Sequence, residues 1–418
     1  MTISFIITSY NIEPYIRQCL DSLRPCLSEG DQVILVDDGS TDGTERVVRD
    51  FIDEIGFGNK VRWTPVWLGS NTVGGVGIGG NIGMDHAECD TLFFVDGDDY
   101  MIPEGFREAR RAYEARPTDI SIANYLEYDH RNHSTQRPAD ASKWSRLSRP
   151  MDIEATRLAA LDLIAVPWRK FYRAAFLRRH RIRFPEGDFF FEDNPFHWQV
   201  CLQAESIGFS REIVCHHRVN RPGQTMESTG VELMAFFTHY RTITSAIPRR
   251  RSDLRLQATR WLVSNMSWQV PRLRPAAFHP YAMGAKETLQ QIRDAEWLAL
   301  SAEMSDTTAW QHADRLRAGG VWEVVEAWHT AAARRELLDL REQLNNLACQ
   351  VKASHEILQA QQAIDEFVAL KGLLSRGEDR AADSGVREGH TMPGSVPHFD
   401  GGREHDKPSA RRGMLDKN

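Results

Sequence analysis

Apolar and polar positions fall into short, distinct blocks over the first 125 residues. Apolar runs at Ile3–Thr8, Val33–Val36 and Leu92–Val95 read as strands, and Val61–Trp67 alternates as a strand does. Between them apolar residues recur at helical spacing, first at Ile16, Cys19, Leu20 and Leu23, then at Val47, Val48, Phe51, Ile52 and Ile55. Asn11 stands where it can cap the first of these helices. A glycine-rich loop leads into a helix from about Gly80 to Glu88. Pro103 to Arg116 is helical, and Ile120 to Ala123 is a further strand. Strands alternating with helices predict an α/β fold, a mostly parallel sheet flanked by helices. Ligands of such sheets sit at the carboxyl ends of the strands. Three polar stretches meet there: Ser9-Tyr10-Asn11, Asp37-Asp38-Gly39-Ser40 and Asp96-Gly97-Asp98-Asp99.

The pattern changes further along. Tyr125 to about Pro150 is polar and irregular, a loop or polar hairpin, and residues 154–166 return to helix. Residues 230–330 carry Trp261, Trp268, Trp297, Trp310, Trp322 and Trp328 on amphipathic stretches. From Ala331, Leu337, Leu344, Val351 and Leu358 recur every seven residues with Leu340 and Leu347 between them, a coiled coil or long packed helix. After Leu374 the chain turns to Gly, Ser, Pro, Asp and Arg, a composition that predicts disorder. The expected divisions are a catalytic domain over 1–225, a helical accessory domain over 226–330, a long helix over 331–374 with homodimerisation through it, and a tail over 375–418.

Composition narrows the class. A net charge of −7 on 418 residues argues against a nucleic-acid partner. The six cysteines form no Cys-x-x-Cys pair and read as reduced thiols, which suggests neither a zinc site nor a disulfide framework. No charged leader and no apolar stretch of about 18 residues are seen, so a cytoplasmic location is expected, at the inner face of the membrane if the basic residues touch lipid.

The chemistry concentrates in a few places. Asp96, Asp98 and Asp99 end an apolar strand, where like charges repel and resist desolvation. A divalent cation removes that penalty, and Mg²⁺ or Mn²⁺ commonly shares carboxylates with substrate phosphates. Asp37 suits hydrogen bonds to a nucleobase or ribose, with Asp38 beside it. Gly75, Gly77 and Gly80 match Gly-x-Gly-x-x-Gly, but the place that a dinucleotide fingerprint requires, after the first strand, is taken by Thr8 to Asn11. These glycines are expected to let the backbone approach a donor closely. Trp168 to Phe184 holds seven Arg and Lys and no acid. It reads as a solvated helix face, or as a surface for an anionic acceptor or a membrane, with Trp168 and Lys170 as acceptor contacts. Glu192 and Asp193 follow the aromatic run Phe189-Phe190-Phe191. A carboxylate beside apolar rings has a raised pKa, which suits a general base. Arg218 and Arg221, in a polar loop after a strand, could add positive charge near a diphosphate, and His217 could touch a phosphate or the metal.

Thr8-Ser9-Tyr10-Asn11, Val36-Asp37-Asp38-Gly39-Ser40-Thr41-Asp42, Gly80-Asn81-Ile82-Gly83, Phe94-Val95-Asp96-Gly97-Asp98-Asp99 and Phe191-Glu192-Asp193 together resemble family 2 glycosyltransferases of the GT-A fold. The resemblance covers about residues 1–225. It implies a nucleotide-diphospho-sugar donor, a divalent metal and an inverting displacement onto a glycan, lipid-linked or protein acceptor. It implies that Ser9 or Tyr10, with Asn11 and Asp37, holds base and ribose, that Asp96 binds ribose or metal, and that Asp98 is the main metal ligand with help from Asp99. Gly80 and Asn81 would lie at the donor, with Gly80 where the family often carries Arg. Asp193 would be the base and Glu192 an acceptor contact. The alternatives are a nucleotidyltransferase and a non-catalytic GT-A-like assembly module.

Overall fold

The computed structural model describes residues 1–55, 60–72, 75–148, 151–187, 190–224 and 228–383, without the side chains of 55, 148 and 374–383. Of the stretches read above, Gly74, Pro150, Phe189, Thr225 and the tail beyond residue 383 lie outside these residues. Two compact units result, Met1–Leu337 and Leu338–Asn418.

In the first unit, strands β1 (Ile3–Ser9), β2 (Gln32–Asp37), β3 (Arg62–Trp67) and β4 (Thr91–Asp96) pair in parallel in the order β3-β2-β1-β4. β1, β2 and β4 are apolar and buried on both faces, as expected where helices cover each side. Helices α1 (Glu13–Leu23), α2 (Thr44–Ile55) and α3 (Gly77–His86) connect or flank them. The register matters most for function. Ser9 lies opposite Asp37 and Thr8 opposite Asp96, so three polar strand ends reach the same rim.

The sheet then becomes mixed rather than mostly parallel. After β5 (Tyr100–Met101), helix α4 (Pro103–Ala115) and β6 (Ile120–Asp129), the chain forms β7 (Ser134–Gln136), α5 (Ile153–Leu161), β8 (Lys170–Arg173), α6 (Ala174–His180), α7 (Asp193–Gln203) and β9 (Ile207–Val219). β8 enters antiparallel between β4 and β6, and β9 runs parallel to β6 while pairing antiparallel with β5. β6 is longer than its apolar start suggests. Its polar half, through Asp129, pairs with β7 in a hairpin whose turn includes His133 at φ +57°.

Helices α8 (Ala235–Ala246), α9 (Ser252–Gln269), α10 (Pro275–Gln290), α11 (Asp294–Met304) and α12 (Thr308–Arg317) complete the first unit with the start of α13 (Val321–Asp383). Trp297 stacks on Trp310 at 4.3 Å, and Trp328 is buried beneath Phe278 and Tyr281. α13 stays helical past Leu374. Beyond Leu337 its apolar residues, among them Leu344, Leu347, Val351 and Leu358, are exposed. No helix among the described residues is long and apolar enough to cross a membrane.

Two expectations about local structure change. Asn11 does not cap α1; at φ +48° its Oδ1 accepts from the Thr41 amide at 2.8 Å and the Asp42 amide at 3.3 Å, tying the ends of β1 and β2 together. The glycines serve helix packing as well: a Cβ on Gly83 would sit 2.2 Å from Ile6 Cγ2, and one on Gly80 would sit 3.0 Å from the Phe184 ring. α3 lies this close to β1 because Gly83 carries no side chain.

Candidate active site

The rim at the end of β1 and β2 is built by side chains that bind one another. Asp37 is buried and accepts from Ser9 Oγ at 2.9 Å and from the Ser40 amide and hydroxyl at 2.8 and 2.7 Å. Asp38 accepts from the Thr72 amide at 2.9 Å and Asn71 Nδ2 at 3.0 Å; burial, the largest influence, holds its carboxyl above the usual range. Tyr10 is exposed and offers its ring to solvent. Asn81 is buried and clasps the backbone of Phe184 in both directions at 3.0 Å, while its Nδ2 donates to Glu186 at 2.9 Å. It and Gly80 therefore shape the wall behind the rim.

The acidic cluster forms at the end of β4, where β9 passes alongside. Ligand atoms of Asp96, Asp99 and His217 all lie within 4.8 Å of one another. His217 Nδ1 is 3.0 Å from Asp99 Oδ2, and the Arg218 amide donates to Asp99 Oδ1 at 2.7 Å. Burial and then the charges of Asp99 and Asp98 push Asp96 well above the ordinary carboxylate range. Asp99 is also raised, mainly by burial, with His217 opposing. Burial disfavours protonated His217, but the acids around it, Asp99 first, raise its pKa to about 9. Two carboxylates and an imidazole, crowded and desolvated, are a donor set that could hold a divalent cation: the carboxylates suit Mg²⁺ or Mn²⁺, and the imidazole favours a transition metal over Mg²⁺. Asp98, expected as the main ligand, instead pairs with Arg221 Nε. Sequence reasoning left His217 open; its adjacency to Asp99 arises from the pairing of β5 with β9, with Tyr100 opposite His216.

Arg218 is placed differently from its expected donor contact. Its guanidinium is buried among the rings of Tyr15, Tyr100 and Tyr128 and donates to Asp98 O at 2.8 Å and Gln18 at 2.6 Å. It supports the cluster from beneath, whereas Arg221 lies at its edge.

Glu192 and Asp193 start α7 and diverge. Glu192 is buried and its Oε1 accepts from the Gly77 amide at 2.7 Å. Burial pushes its pKa up to about 7. Gly75, at φ +49°, and Gly77 leave the space that this carboxylate fills. Asp193 turns the other way. Its Oδ1 accepts from Asn194 Nδ2 at 2.9 Å, burial raises its pKa, Lys170 opposes that rise, and its charge reaches Asp96. Asp193 and the Asp96–Asp99–His217 cluster are thus close enough for their charges to interact.

The expected acceptor contacts Trp168 and Lys170 face inward. Trp168 stacks on His217 at 4.8 Å. Lys170 is wholly buried, its Nζ 3.0 Å from both Ala165 O and His197 Nδ1, and burial lowers its pKa to about 7. Other members of the basic run are also engaged: Arg169 with Asp140, Arg173 with Asp119 and Arg183 with Asp85. The run is mostly scaffold, because folding brings acids to it that lie far away in sequence.

Residues 4–181 match the family model described as Glycosyl transferase family 2. Among curated proteins, the uncharacterised glycosyltransferase EpsJ of Bacillus subtilis strain 168 is 27% identical over 251 residues, 57% of this chain and 70% of EpsJ. The poly(ribitol-phosphate) β-N-acetylglucosaminyltransferase TarS of Staphylococcus aureus strain Mu50 is 27% identical over 245 residues, 58% of this chain but only 40% of TarS. Among solved structures, S. aureus TarS 1–349 in complex with UDP-GlcNAc superposes with a TM-score of 0.60 at 19% identity, covering 81% of this chain and 92% of that one. That likeness establishes a GT-A-type fold.

Proposed function

We propose that this protein, whose residues 4–181 match the glycosyl transferase family 2 model, moves a sugar from a nucleotide-diphospho-sugar to an acceptor hydroxyl, with inversion and metal assistance, in glycan or polysaccharide assembly. The observation that carries the reading is the placement of Asp193, with no ion pair among the described residues, within electrostatic reach of the Asp96–Asp99–His217 cluster. The likeness to TarS, a poly(ribitol-phosphate) β-N-acetylglucosaminyltransferase, supports a polymeric acceptor.

Asp96, Asp99 and His217 would hold Mg²⁺ or Mn²⁺. When bound, such an ion neutralises charge on the departing nucleoside diphosphate. Ser9, Tyr10, Asp37 and Asp38 present the surface for base and ribose, Tyr10 through its open ring. Arg221 stands ready at the cluster edge to exchange Asp98 for a phosphate oxygen. Asp193 Oδ accepts the proton of the acceptor hydroxyl as that oxygen attacks the far face of the anomeric carbon; general-base help of this kind is worth roughly 10²–10⁴-fold. Lys170, behind Asp193, favours its ionised form. Glu192 holds the first turn of α3 against α7 and keeps the base loop in place.

In the same reading, 226–330 is an accessory domain that shapes the acceptor side, and the exposed heptad positions of α13 support self-association through 331–374. Turnover of a panel of nucleotide-sugars with Mn²⁺, followed by release of nucleoside diphosphate, tests the activity directly. No turnover of any donor, with or without acceptor, would contradict it.

A further inference from the structure

Arg272 differs from the arginines around the site. Arg169 and Arg221 each face an acid, and Arg218 is hydrogen-bonded on several sides. Arg272 has no hydrogen bond or ion pair among the described residues, and its Nε is buried without a partner. Burial lowers its pKa, and no acid offsets that. Its guanidinium carbon lies 4.4 Å from the ring centroid of Trp268, which is itself unusually exposed for a tryptophan at 37%. A surface arginine that only seeks water has no reason to give up hydration in this way.

The pair is connected to the base. Trp268, near the end of α9, meets the Phe191 ring edge-on at 6.0 Å, and Phe191 also packs on Phe236 at 4.8 Å. Phe191 precedes Glu192 and Asp193 and adopts φ +63°, a left-handed conformation that a bulky residue holds only under constraint. His239 adds to that constraint with Nε2 2.6 Å from Phe190 O. Trp268, with the Arg272 guanidinium over its ring, therefore borders the loop that leads into Asp193.

We propose that Trp268 and Arg272 form an acceptor subsite for a chain of sugar or polyol units that carries an anionic group, phosphate or carboxylate, next to the unit being glycosylated. The ring offers a stacking surface for a sugar or polyol face, and the guanidinium accepts an oxyanion in a forked hydrogen bond. The inference rests on the assignment of Asp193 to the acceptor side, and its test is chosen to stand apart from turnover.

The experiment is calorimetric binding to the full chain, without donor, of three probes: a polyol-phosphate oligomer, a polyuronate oligomer and a neutral dextran oligomer. Wild type should bind at least one anionic probe more tightly than dextran. Arg272→Gln and Trp268→Ala should each weaken that probe roughly tenfold, the loss expected for one charge-assisted contact, with Arg272→Lys falling between. The probe that responds identifies phosphate or carboxylate as the group. If Trp268→Ala lowers the melting temperature, Trp268→Phe keeps an aromatic face and should retain most of the binding. No preference over dextran in wild type, equal affinities in Arg272→Gln, or an equal loss for all three probes would each overturn the proposal. A failure of the glycosyltransferase reading would appear separately, as absent donor turnover.

Discussion

Glu192 Oε1 accepts the Gly77 amide proton at 2.7 Å, while its neighbour Asp193 accepts from Asn194 Nδ2 at 2.9 Å and acts by its charge on Asp96. Two adjacent acids thus have different surroundings. One fastens helix to helix, and the other has no ion pair among the described residues. Adjacent residues at a helix start diverge by about a hundred degrees, which is why one turn can do both.

The buried role of Glu192 has a pH signature. Its folded pKa of about 7 lies above its ordinary value of 4.5. The folded protein therefore holds this proton more tightly, and the stability it contributes is full below about pH 4.5 and lost as pH rises through about 7. Glu192→Gln keeps an acceptor for Gly77 without the charge. Its melting temperature should match wild type near pH 5 and exceed it near pH 8. Parallel curves across that range would contradict the buried ionisable assignment.

The cluster at β4 and β9 predicts metal binding that depends on both strands. Mn²⁺ should raise the wild-type melting temperature, with a stabilisation that grows as the logarithm of one plus its concentration over Kd. Asp99→Asn and His217→Ala should lose most of that rise, and EDTA should suppress turnover. Full activity in EDTA would remove the metal from the account.

Close approach of α3 to β1 predicts that Gly83 tolerates no side chain. Alanine ordinarily favours a helix over glycine by about 1 kcal/mol. Here its Cβ would meet Ile6 Cγ2 at 2.2 Å, so Gly83→Ala should instead destabilise by about 1–3 kcal/mol. A melting temperature above wild type would show that the helix moves freely off the strand.

Exposed Leu344 and Leu347 on α13 predict self-association. The double variant Leu344→Lys with Leu347→Lys should lower the molar mass in light scattering without altering the fold of Met1–Leu337. A monomeric wild type would refute a homodimer through this helix.

Much of this was legible in sequence because it is local. Apolar runs that end in polar residues, Ser9, Asp37 and Asp96, named β1, β2 and β4 and the rim they form, and the order of the motifs pointed to the fold. What was not legible depends on pairing between distant segments. The antiparallel entry of β8 converts Lys170 from a surface cation into a buried one beside His197. The pairing of β9 with β5 delivers His217 to Asp99 and leaves Asp98 to Arg221. The role of Glu192 depends on a contact across 115 residues, which no local pattern encodes.

The most direct measurement is kcat for sugar transfer, with donor Kd, for Asp193→Asn and Glu192→Gln side by side. Asp193→Asn keeps size and hydrogen bonding but takes no proton, so kcat should fall roughly 10²–10⁴-fold while donor Kd stays about unchanged. Glu192→Gln should keep most of kcat and show its effect in stability. A dead Glu192→Gln enzyme beside a nearly wild-type Asp193→Asn enzyme would contradict the assignment of Asp193 as the base.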